Sequence, residues 1–157
     1  MGLMELSEIL RPAAVKVVAN VSSKKRLFQD LGDLVSATYG IDNAAAFAAL
    51  QERETLGPTG VGHGIALPHA RIEGLDRVVG AFFRIEKPVD FDSVDRQPVD
   101  LVFALFAPDG GGVDHLKALA LVSRTMRDAG VTAKLRANAD PETLHTILTE
   151  AQATRAA

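Results

Sequence analysis

Apolar residues recur at helical spacing between Lys24 and Thr38, where Leu27, Leu31, Leu34 and Val35 share one face. Ser22 and Ser23 precede this segment and Gly40 follows it as a stop. Asp42 is a good N-cap for a second helix from Asn43 to about Leu56, rich in alanine and anchored by Phe47 and Leu50; Gly57-Pro58 ends it. The pattern then shortens. Gly64–Leu67, Val78–Ile85 and Val99–Ala107 read as strands, with an earlier one at Val15–Val18. The Val99 strand is apolar from Leu101 to Phe106, as expected of a central strand covered on both faces. After a loop at Pro108–Val113, a helix is expected over His115–Ala129, with Leu116, Leu119, Val122 and Met126 on one face and Asp114 as its N-cap. Asp140-Pro141-Glu142 opens a last helix, with proline at its favoured first position.

Helices interleaved with strands around a fully apolar strand define an α/β fold, with helices on both faces of a sheet. The connection from Ile85 to Val99 is too short for a crossover helix, so those two strands are expected to be antiparallel and the sheet mixed. No repeat or long linker divides the chain, and residues 1–157 read as one domain with a frayed tail at 151–157.

Composition narrows the partners. A formal charge of −3 with scattered basic residues argues against nucleic acid, which needs a clustered positive field. The chain has no cysteine, which removes disulfides, thiolate metal sites and cysteine nucleophiles together. No apolar run approaches the roughly 20 residues of a membrane span. The start lacks the basic region of a signal peptide, and Gly2 is followed by Leu6 where a myristoylation signal wants Ser or Thr. A cytoplasmic domain without stable membrane insertion is the expectation.

The chemistry concentrates in GPTGVGHGIALPHAR, Gly57–Arg71, which holds four of the 13 glycines and two of the four histidines. A phosphate loop of the Walker type needs G-x-x-x-x-G-K-[ST] between a strand and a helix. Here His63 replaces the lysine, Gly64 replaces the hydroxyl residue, and the order of elements is inverted. A metal shared by His63 and His69 fails on reach: six extended residues span about 20 Å, against roughly 4 Å between two ligands of one ion.

Pro68 cannot donate to a ladder, so regular pairing is expected to stop there and leave His69 just past the carboxyl end of a strand. Open α/β sheets collect ligands at such ends. A neutral imidazole there has a lone pair to attack phosphorus or accept a proton; a surface histidine capping a strand is the plainer reading. His115 opens a helix, whose N-terminus attracts phosphate and biases the ring toward neutrality. Arg53 lies in the last turn of the second helix, where it either complements the helix dipole or offers a fork of donors to a phosphoryl group. Spacing alone does not choose.

LQERETLGPTGVGHGIALPHAR (Leu50–Arg71) resembles the signature of phosphotransferase-system enzyme IIA domains of the fructose/mannitol/nitrogen type, in which an E-R-E helix end precedes T-G-x-G-x-G-x-A-x-P-H. DHLKALALVSR (Asp114–Arg124) resembles the family's second histidine segment. The resemblance implies an α/β/α sandwich around a mixed sheet. It implies that His69 takes a phosphoryl group from the phosphohistidine of the carrier HPr, or its nitrogen-branch counterpart, with His115 and Arg53 in support and no cofactor or metal. Thr59 falls on the family's Ser/Thr position, where it shapes the loop and is a candidate phosphoryl contact; His63 receives no role. Of the family's variants, a standalone nitrogen-type regulator is favoured, acting on downstream targets. The alternatives are a IIA component feeding a separate IIB and sugar transporter, and a regulatory module that binds without being phosphorylated.

Overall fold

The computed structural model describes residues 4–110 and 112–156, with side chains as far as 151; Gly2, residue 157 and the side chains of 152–156 in the expected tail lie outside these. Helix α1 (Leu6–Ile9) and a 3-10 turn (Pro12–Ala14) lead into β1 (Val15–Val18). Two longer helices follow, α2 (Lys24–Tyr39) and α3 (Asn43–Thr55). Their ends obey the sequence. Ser23 accepts a hydrogen bond from the Arg26 N–H, Asp42 accepts one from the Ala45 N–H, and Gly40 closes α2 at φ +74°.

Four short or long strands come next in chain order: β2 (Gly60–Gly62), β3 (Ile65–Ala66), β4 (His69–Ile72) and β5 (Val79–Val89), then β6 (Val99–Pro108). They form a six-stranded mixed sheet in the order β1-β5-β6-β3-β2, with β4 also on β6. β5 and β6 are antiparallel, as their short connection requires, with Phe82 opposite Phe103 and a register shift between Arg84 and Val89. β1 runs parallel to β5, and β3 and β4 both run parallel to β6. Every residue from Leu101 to Ala107 is buried. Successive strand residues point to opposite faces, so this sheet is covered on both. α2 packs on β5 and α3 on β4, while α4 (Asp114–Arg127) packs on β6 and α6 (Pro141–Ala156) on β1.

Three expectations need correction. The helix expected over His115–Ala129 ends at Arg127, and an unexpected helix follows at once: Asp128 caps α5 (Ala129–Arg136) by accepting from the Gly130 and Val131 N–H groups. Leu116 is 62 % exposed, because the buried row of α4 is His115, Ala118, Val122 and Thr125. Asp114 is the first helical residue rather than the cap, which is Val113 without a capping side-chain bond.

Candidate active site

The two β6 neighbours β3 and β4 are one strand line broken at Leu67-Pro68. His69 therefore does not lie beyond a strand end; it opens β4, opposite Leu105. Proline has no N–H, yet its carbonyl still accepts from the Leu105 N–H at 2.9 Å, so the ladder resumes at once. The break has a use. It leaves the Leu67 carbonyl free to meet the His69 ring, with Nδ1 at 3.0 Å.

That contact decides the tautomer. A carbonyl only accepts, so Nδ1 carries the proton and Nε2 keeps the lone pair. Arg53, in the last turn of α3, points its Nε–H at His69 Nε2 from 3.3 Å, while its Nη1 donates to the Gly57 carbonyl at 3.0 Å. Burial is the main reason the His69 pKa lies below its ordinary value of 6.5. The Leu67 carbonyl opposes that shift, the Arg53 guanidinium adds to it, and the Glu54 carboxylate opposes it. The ring is neutral, with a nucleophilic nitrogen, at neutral pH.

His115, the second residue of α4, brings its ring to 5.5 Å from that of His69, centroid to centroid, at 51°. It is 8 % exposed, and its Nδ1 is buried without a hydrogen-bond partner among the described residues. Burial first, then the His69 ring and Arg71, holds its pKa low as well. His69, His115 and Arg53 thus meet in one cleft of about 440 Å³, which Leu56 and Arg71 also line. No group of three or more His, Asp or Glu among the described residues is placed to hold a metal ion.

Thr59 and His63 are not brought to this cleft. Thr59 is 4 % exposed and its hydroxyl donates to Glu54 Oε1 at 2.6 Å. Its N–H donates to Glu54 Oε2, which also takes Lys24 Nζ at 2.9 Å. Glu54 itself escaped the sequence reading: its side chain is 8 % exposed and pins both the glycine loop and the start of α2 to the end of α3. The quoted E-R-E was its only signal. Arg71 was also missed, although two residues along a strand from His69 is the same face.

A sheet-borne neutral imidazole, a second imidazole and a fixed guanidinium in one cleft can together receive and stabilise an anionic group. Comparison with known proteins gives the family. Residues 8–151 match the family described as phosphoenolpyruvate-dependent sugar phosphotransferase system, EIIA 2. The chain is 42 % identical over 153 residues to a nitrogen regulatory protein of Bradyrhizobium diazoefficiens, covering 98 % of this chain and 100 % of the relative. It is 36 % identical to that of Escherichia coli K12, over 96 % of this chain and 93 % of the relative. The crystal structure of nitrogen regulatory protein IIA-Ntr from Neisseria meningitidis superimposes with a TM-score of 0.85 at 35 % identity, covering 92 % of this chain and 99 % of that one. The chain belongs to the EIIA type 2 family of the phosphotransferase system, a family of phosphotransfer components.

Proposed function

We propose that the protein is a nitrogen-type regulatory phosphocarrier that accepts a phosphoryl group on Nε2 of His69 from the phosphohistidine of an HPr-like carrier. One observation carries the choice of atom: the Leu67 carbonyl occupies Nδ1, and Nε2 faces Arg53 in the cleft. In the step, the donor's P–N bond breaks as the His69 Nε2 lone pair forms a new one, and the electron pair returns to the donor imidazole. Nδ1 keeps its proton throughout. One P–N bond replaces another, so the exchange is near-isoenergetic, and its rate rests on alignment and on stabilising the three equatorial oxygens. Arg53 supplies a fixed guanidinium, and the α4 N-terminus with the His115 ring supplies donors at the opposite wall. Thr59 acts by shaping the loop through Glu54. The regulatory half of the proposal follows the relatives' name; downstream targets, or a IIB component, then read the phosphorylation state.

Incubation with phosphoenolpyruvate, enzyme I and a cognate carrier should add one acid-labile phosphoryl group by intact mass, and His69→Ala should lose it entirely. A carrier shown to be phosphorylated that leaves this protein unmodified would overturn the proposal in favour of a binding module.

A further inference from the structure

A second cleft, of about 710 Å³, opens between the β2–β3 hairpin and the junction of α4 with α5. That volume is in the range of small-molecule sites, roughly 300–1,000 Å³. Its walls are apolar: Val61, Ile65, Leu67 and Met126. Its charged lining is entirely basic, from Arg127 and Arg136, in a protein whose net charge is −3. Arg136 is committed, with Nε and Nη2 each 2.9 Å from the Asp100 carboxylate and Nη2 also on the His63 carbonyl. Arg127 is not: in the last turn of α4 it is exposed, and its side chain makes no hydrogen bond or ion pair with another described residue. An uncommitted guanidinium beside an apolar pocket with no lining carboxylate selects an anion on an apolar body.

The same cleft touches both elements that carry the candidate site. Leu67 lines it, and the carbonyl of the same residue holds Nδ1 of His69. α4 lines it with Ser123, Met126 and Arg127 near one end and carries His115 at the other. We propose that this cleft binds a small amphipathic organic anion, and that the bound anion adjusts the His69 ring through Leu67. The regulatory consequence rests on the phosphocarrier reading; the binding and the coupling do not.

The test titrates the protein with 8-anilinonaphthalene-1-sulfonate, observed by amide and histidine-ring NMR, with no phosphoryl donor present. One saturable site is expected, with shifts at 61–67 and 123–136 and in the His69 ring signals. Arg127→Gln should weaken binding about tenfold, the loss of one charge-assisted contact. Arg127→Lys should restore most of it, and the uncharged N-phenyl-1-naphthylamine should be indifferent to either change. Absence of saturable binding, or equal affinity in Arg127→Gln, overturns the site. A filled site with unmoved His69 ring signals overturns the coupling. Because phosphorylation plays no part in the readout, these failures are distinct from failure of the phosphocarrier proposal.

Discussion

His63 and His69 stand six residues apart in one glycine-rich stretch, and the fold uses opposite halves of them. At His69 it is the ring that is held, Nδ1 by the Leu67 carbonyl and Nε2 by the Arg53 Nε–H. At His63 it is the backbone. Its N–H donates to Asp95 at 2.9 Å, its carbonyl accepts from Arg136 at 2.7 Å, and its φ is +57° between Gly62 at +100° and Gly64 at +79°. Three successive residues of positive φ turn β2 back into β3 and so aim the strand line that carries His69. A histidine earns notice in a sequence by its side chain. The comparison teaches that the glycines around it decide whether the side chain or the turn is the point.

The largest expected effect strikes the ring side of this comparison. Arg53→Lys keeps a charge near His69 but removes the planar fork that bridges Nε2 and the Gly57 carbonyl. Transfer from a phosphorylated carrier, followed by rapid quench, should slow about 100- to 1,000-fold, the range for losing a fixed donor at a developing charge. Unaltered rates would mean that Arg53 only complements the α3 dipole.

Much of the fold was legible because its signals are local. Ser23, Asp42 and Gly40 delimit α2 and α3 within a residue or two, and the apolar run of β6 announced a strand covered on both faces. What stayed hidden depends on distant partners. β2 is three residues of glycine and valine, recognisable only once paired with β3. Leu116 fits the helical spacing but faces outward, since the buried row follows His115 and Ala118. Asp128 reads as one more polar residue until its carboxylate is seen capping a new helix. In the site, the sequence proposed His69, His115 and Arg53, and the structure brings all three to one cleft. It could not reveal Glu54, whose partners are Lys24, 30 residues earlier, and Thr59 across the loop. Nor could it choose a ring nitrogen, because the deciding carbonyl is exposed by a break at Pro68 that reads from sequence as a strand end.

The backbone side is probed by Gly64→Ala. A Cβ there would stand 2.7 Å from Arg136 Nη2 and 2.8 Å from Asp100 Oδ1, on a residue whose φ of +79° already disfavours a side chain. Both effects act on the clamp that holds the His63 carbonyl. The variant should lose about 1–3 kcal/mol of stability in denaturant melts, from left-handed strain and forced displacement of the ion pair. At temperatures where it stays folded, His69 should still be phosphorylated at the normal rate. A large rate defect in folded protein would show that the turn tunes the acceptor as well as aiming it.

The smallest effect belongs to the His63 side chain. Asparagine tolerates the left-handed region better than most residues, and His63→Asn preserves the N–H for Asp95 and the carbonyl for Arg136. The hydrogen bonds that fix the turn therefore survive. Stability should change by no more than about 0.5 kcal/mol, as for an exposed position without a special side-chain contact. His63→Val keeps the same backbone groups but puts a β-branched residue at φ +57°, where about 1–2 kcal/mol of strain is expected. Melting the two variants side by side separates ring from backbone. If asparagine proved as harmful as valine, the His63 ring would have a structural duty, and the division between the two histidines would fail at its first member.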